Sequence, residues 1–272
     1  MSLFERIQWR PPEPSSFVSD FDRRYQKEKQ QPFRDERLMD ETTITCAWAD
    51  FRRPLLKRCN LQGNLNFIKL LGYGMDGIVW KAEIGRQVVA LKVFWDNQAP
   101  GDTQYWALQR ECQNASILQM IRLAVEQDAE SIWLNPEPKT LRGALQNLHA
   151  FSDEGRRRQR FRDTPGAINY SNLPQTRKAF GWTTVESEQL YALRAHLRPR
   201  AIQIDGLRRE ISGHETYYAI VYEYLPDHHG AFAADVVQSS LDLFWLSGFC
   251  LVPFRAANWK SPGILLDLAD LF

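Results

Sequence analysis

The chain has 272 residues, of which 44% are hydrophobic, and a formal net charge of +1, so it can bury one sizeable core and bulk charge directs it to neither nucleic acid nor acidic substrates. Cysteines stand at 46, 59, 112 and 250 with no close C-x-x-C pair, which argues against zinc and for free thiols in a reducing compartment. No apolar run reaches the roughly 18 residues of a membrane span, and "MSLFERIQWRPPEPSS" lacks the apolar stretch of a secretory signal, so a soluble intracellular protein is expected.

Residues 1–60 are polar, with Pro11, Pro12 and Pro14 early and dense mixed charge from Asp20 to Glu41. They read as a flexible arm, extended or partly helical. Phe17, Phe21, Tyr25 and Phe33 keep a helical docking segment open as the rival reading. A domain is expected over 61–272, where the texture changes. "NFIKLLGYG" and "GIVWKAEI" read as two strands joined by a glycine loop, and Gly85-Arg86 turns into a third, "QVVALKVF". Alternation puts Ile78, Trp80, Ala82 and Ile84 on one face of the second strand. It puts Val88, Ala90 and Lys92 on one face of the third. A helix is expected over 104–127, because Leu108, Cys112, Ala115, Leu118 and Ile121 recur at three- and four-residue steps. Residues 128–198 are irregular and read as an insertion. "RAIQI" and "YYAIVYEYLP" are strand-like. In "DVVQSSLDLFWLSGF", Val237, Leu241, Phe244 and Trp245 at i, i+4, i+7 and i+8 predict a helix with one apolar stripe.

Gly72, Gly74 and Gly77 stand at G-x-G-x-x-G spacing. A dinucleotide fingerprint would lie between a strand and a helix. This one lies between two strands, with Val79 two places on and Lys92 closing a Val-Ala-Leu-Lys string, which is the protein-kinase arrangement. Glycines let backbone N–H groups lie over phosphate oxygens, and a lysine supplies charge to the phosphates. A lysine on a buried sheet face needs a counter-charge, and Glu111 in the following helix is the candidate. Glu223, Tyr224 and Leu225, after "YAIVY", fall where a hinge backbone would meet adenine.

Residues 66–272 resemble the protein-kinase-like fold in a degenerate form. Through "GYGMDGIVWKA", "REC" and "NWKSPGILLDLADL" they look most like a fungal family of inner-kinetochore subunits, the Sim-four-complex FTA-two type. The resemblance implies an α+β, kinase-like architecture. An antiparallel N-lobe sheet with one helix would span 61–225, on a reduced, mainly helical C-lobe over 226–272. It implies a nucleotide cleft formed by Gly72, Gly74, Gly77, Val79, Ala90, Lys92, Glu111, Glu223, Leu225, Asn258 and Asp267. ATP and Mg would be its cofactors if it is occupied, with Asn258 and Asp267 on the metal. It also implies a nuclear, centromere-bound structural protein whose partners are other kinetochore proteins.

The pattern breaks in "GFCLVPFRAANWKSPGILLDLADLF". Asn258 and Asp267 fall at the metal-binding positions, and Arg255 falls at the basic residue of the catalytic loop. Pro253 stands where the catalytic aspartate belongs, Leu251 replaces the histidine, and Leu268-Ala269 replace Phe-Gly. Proline has neither carboxylate nor N–H, so no catalytic base is expected. The chain stops at Phe272 without an activation segment, which fits a natural minimal C-lobe or a truncated one. A non-catalytic scaffold is therefore the first expectation, and an active, atypical ATP-using phosphotransferase is the alternative. An orphan fragment of a degenerated gene is a third. The arginines of 156–162 read as a solvated loop or an import signal. With only Phe161 among them, direct nucleic-acid binding is not expected. His228-His229 have no further ligand at useful spacing and read as loop residues.

Overall fold

The computed structural model describes residues 26–39, 44–60, 62–101, 105–127, 131–204, 206–226, 233–249 and 255–271. In chain order the elements are β1 (Arg34–Leu38), α1 (Trp48–Arg52), β2 (Leu56–Arg58), β3 (Leu65–Tyr73), β4 (Gly77–Ile84) and β5 (Gln87–Phe94). There follow α2 (Ala107–Glu126), β6 (Trp133–Leu134), α3 (Leu141–Ala150), α4 (Asp153–Arg158), β7 (Ile168–Asn169) and β8 (Ala179–Glu186). The last are α5 (Ser187–Tyr191), β9 (Ile202–Ile204), β10 (Leu207–Arg209), β11 (Thr216–Glu223), α6 (Ala234–Ser247), β12 (Trp259–Lys260) and β13 (Ile264–Leu265). The class is α+β. Seven strands form one mixed sheet in the order β1-β2-β8-β11-β5-β4-β3.

The hairpins β3–β4 and β4–β5 form where local alternation and turn chemistry place them, and their pairing is antiparallel. Ile78, Trp80, Ala82 and Ile84 are all buried on one face of β4. They pack with Val89, Leu91 and Val93 of β5 and Ala219 and Val221 of β11. The stretch from α5 to Ile211 covers that face, and the indole of Trp80 donates to Leu197 O at 2.9 Å. Burying one such large apolar side chain contributes about 1.5–3 kcal/mol.

The opposite face packs on α2. Leu108, Cys112, Ala115, Leu118 and Ile121 are buried there with Ala90, Ile220 and Tyr222. Gln109, Asn114 and Ser116 of α2 are buried as well, and they bond carbonyls of neighbouring segments, as buried polar groups must. Gln109 reaches Glu28 O at 2.8 Å, and Asn114 reaches Leu268 O at 2.7 Å and Leu271 O at 3.0 Å. The helix thus ties the segment before β1 and the segment after β13 to the same face of the sheet.

Three sequence expectations need correction. Residues 33–58 are not a flexible arm. β1 is an edge strand of the main sheet and β2 lies inside it, paired in parallel with β1 and β8, and Phe33, Cys46, Phe51 and Leu56 belong to the core. Alternation over three to five residues was too short to reveal this. Residues 128–198 are not an insertion either. β8 lies inside the sheet between β2 and β11, where it buries Ala179, Trp182 and Val185. Finally, α6 turns differently from the predicted stripe. Ser240, Leu243, Phe244 and Ser247 face inward at i, i+3, i+4 and i+7, while Trp245 is 62% exposed. Among the described residues, no helix is long and apolar enough to cross a membrane.

Candidate functional site

A cleft of about 470 Å³ opens beneath the β3–β4 loop. Gly72, Gly74, Gly77 and Val79 roof it, Ala90 and Lys92 of β5 form its inner wall, and Glu223 and Leu225 line one side. Asn258, at the end of a 3-10 turn, and Asp267, after β13, form its floor. Of the eleven residues expected at the site, only Glu111 does not line the cavity, because it lies directly behind Lys92.

The sheet register aims these groups. Val79 opposes Lys92, and Ile220 opposes Lys92 from the other side, so β5 is central and its backbone is held on both sides. Lys92 is only 6% exposed. Its ammonium donates to Glu111 Oε1 and, at 3.1 Å, to Asp267 Oδ1. Tyr222 OH donates to Glu111 Oε2 at 2.6 Å, so both oxygens of that buried carboxylate are engaged. Asp267 also accepts from Ala269 N at 3.1 Å, which holds the loop after β13 in place.

Burial disfavours charge on Lys92, but Asp267, Glu111 and Asp76 outweigh it and hold the ammonium charged. Burial pushes the Glu111 carboxyl up, against the pull of Lys92. Burial also acts to raise Asp267, yet Lys92 wins there and its pKa lies below the ordinary value. The site therefore keeps a charged lysine next to an ionised Asp267.

The glycines differ in what requires them. A Cβ on Gly77 would lie 2.2 Å from Val93 O, so the fold itself demands glycine there. At Gly72 nothing lies within 4 Å, and at Gly74 the nearest atom is Gly77 O at 3.8 Å. Packing does not require glycine at those two positions, and both line the cleft.

The segment after β11 departs from the simple hinge expectation. Glu223 N donates to Lys178 O at 2.8 Å, and Leu225 O accepts from Lys260 Nζ at 2.5 Å. These two backbone groups are engaged within the chain before any base arrives. Lys81 and Lys260 lie over the Tyr224 ring, at 4.5 and 5.8 Å from its centroid.

Sequence reasoning did not single out two further residues of the site. Arg177 lines the cleft, donates to Leu266 O at 2.7 Å and stacks 4.0 Å above the Tyr222 ring. Its buried Nε has no hydrogen-bond partner among the described residues. Nothing local marks it, since it precedes β8 and arrives by tertiary packing. Asp76 sits in the glycine loop. Its carboxylate comes within 4.8 Å of those of Glu111 and Asp267. Its one sequence signal is its place inside the G-x-G-x-D-G string.

The donor types on the cleft floor, the Asp267 carboxylate and the Asn258 amide, suit a hard cation such as Mg, which prefers oxygen ligands. Leu251, Pro253 and His228-His229 lie outside the described residues. Arg255 is exposed. Of the arginine cluster, Arg156 is buried, as is Phe161, while Arg157, Arg158, Arg160 and Arg162 are exposed. No protein family, no curated protein and no solved structure matches the chain.

Proposed function

We propose that this chain is a kinase-like, non-catalytic scaffold whose cleft holds a nucleotide, and that it works as an inner-kinetochore subunit in the nucleus. The observation that carries the nucleotide reading is the Lys92–Glu111–Asp267 triad beneath a glycine loop with open space under Gly72 and Gly74. These groups come from four separate segments, and all but Glu111, which stands behind Lys92, line one cavity. A fixed ammonium under open glycines is suited to phosphate oxygens, and Asp267 with Asn258 would hold the accompanying Mg. Pro253 at the position of the catalytic aspartate supports the non-catalytic part, since a positioned base contributes about 10²–10⁴ in rate. The kinetochore part rests on the sequence resemblance, with other kinetochore proteins as partners and no direct role for nucleic acid.

A melt with Mg-ATP separates binding from chemistry, because a ligand at 100 times its Kd stabilises a fold by about 2.7 kcal/mol. Stabilisation without single-turnover phosphate release is the expected result. Phosphate release abolished by both Lys92→Ala and Asp267→Asn would favour the alternative, an atypical phosphotransferase. The intact Lys92–Asp267 contact at 3.1 Å keeps that alternative in view. A tagged copy should form centromeric foci in mitosis, and uniform cytoplasmic signal would refute the kinetochore assignment.

A further inference from the structure

We infer that Asp76 is a specificity-determining residue: its carboxylate fills the anion position beside Lys92 and selects against ligands that bring unscreened phosphate into the cleft. The inference deepens the nucleotide reading and rests on it for the identity of the cleft. In a phosphate-covering loop, glycine backbone and a lysine converge on the ligand's oxygens. Here a side chain of the loop itself carries an anion to that place. The Asp76 carboxylate lies within 4.8 Å of the Glu111 and Asp267 carboxylates, both of which contact the Lys92 ammonium. Three carboxylates therefore lie around the Lys92 ammonium, and although Arg177 also lines the cleft, the Asp76 carboxylate is a like charge that a phosphate group arriving alone under the loop must approach.

The loop is built to keep Asp76 there. Tyr105 OH donates to both Asp76 oxygens, at 3.0 and 3.3 Å. The Asp76 carbonyl accepts from Trp95 N at 3.1 Å, and the Trp95 indole donates to Gly74 O at 3.0 Å. Gly74 N is bonded to Gly77 O at 2.8 Å, so this loop donor points at its own strand. Four donors, with the single Tyr105 O–H shared between the two Asp76 oxygens, thus pin the loop. Burial raises the pKa of Asp76 against the pull of Lys92, in keeping with a carboxylate placed among others.

The test is calorimetric titration of the full chain with inorganic tripolyphosphate and, separately, with adenosine, both with a chelator so that no divalent cation screens the charge. Asp76→Asn keeps an oxygen for Tyr105 and removes the charge. It should bind tripolyphosphate at least about tenfold tighter than wild type, since like-charge juxtaposition is costly. Tyr105→Phe, on a half-exposed side chain, should give a smaller gain in the same direction, and it carries the test if Asp76→Asn does not fold. Adenosine affinity should be the same in all three proteins. Equal tripolyphosphate affinity in wild type and variants, or no binding by any, overturns the role of Asp76. If adenosine binds in that case, the nucleotide reading survives. A tripolyphosphate gain without adenosine binding supports Asp76 and removes the nucleotide reading.

Discussion

Among the buried cations of the described residues, Lys92 at 6% exposure and Arg156 at 7% lie at nearly the same depth. Their surroundings differ. Arg156 donates to Phe151 O at 3.1 Å, Gln127 Oε1 at 3.3 Å and Asp153 Oδ1 at 2.6 Å. One carboxylate, itself 40% exposed, balances one guanidinium, and neutral oxygens fill the rest. Lys92 instead sits on the wall of a cavity, with two carboxylates in contact and Asp76 beyond them. A balanced buried cation knits α4 to α3 and α2. Around Lys92, several carboxylates and the Arg177 guanidinium gather at a cavity wall instead of pairing off one to one. The difference separates a charge balanced within its own packing from one that faces a cavity, even though the sequence marks the arginine cluster as loudly as the lysine.

The largest expected effect is Lys92→Met, which leaves Glu111 buried and unpaired. Breaking one side of a buried pair costs about 3–5 kcal/mol, read as a shift in the urea midpoint. Lys92→Met with Glu111→Leu should recover most of that loss, because the uncompensated charge is gone. A double variant as unstable as the single would mean that the lysine stabilises by packing, and the contrast with Arg156 would weaken.

Backbone packing should treat the two regions alike. A Cβ on Gly77 would meet Val93 O at 2.2 Å, and one on Gly155 would meet His149 O at 1.8 Å. Overpacking of this kind costs about 1–3 kcal/mol, so Gly77→Ala and Gly155→Ala should both lower the denaturant midpoint. If only Gly77→Ala did so, the α3–α4 corner would be softer than its contacts imply.

Arg156→Met should cost less than Lys92→Met, about 1–2 kcal/mol, because Asp153 can turn to water once its partner is removed. An equal cost at the two sites, in the same urea series, would erase the distinction.

The smallest signal concerns His149, whose ring meets Trp48 edge-on at 4.9 Å. Burial, then the charge of Arg158, hold its pKa below the ordinary 6.5. The folded chain therefore binds this proton less readily than the unfolded chain. The corresponding stability is complete above pH 6.5 and is lost as pH falls toward the lower, folded value. His149→Asn should show a smaller drop in urea midpoint between pH 7.5 and 5.5 than wild type. An identical drop would assign the acid sensitivity to other groups.

Much of the candidate site was legible because it is local. Period-2 alternation, the Gly85-Arg86 turn and the glycine spacing determine β3, β4 and β5, and these fix the direction of Lys92. The three- and four-residue steps of α2 place Glu111 on the helix face that meets the sheet. These rules act between residues a few positions apart, so a single sequence carries them in full. Only the tertiary structure decided the rest. β1 becomes a sheet edge and β2 and β8 inner strands because distant segments share the burial of Phe33, Leu56 and Trp182, and two or three apolar residues in a short strand leave no readable period. Arg177 reaches the cleft, and Glu223 N and Leu225 O find Lys178 and Lys260, through contacts that no spacing encodes. Asp76 was visible as a letter in a motif. Its surroundings came from the fold, because the carboxylates of Asp76, Glu111 and Asp267 meet near Lys92 only once the β3–β4 loop, β5, α2 and the segment after β13 come together.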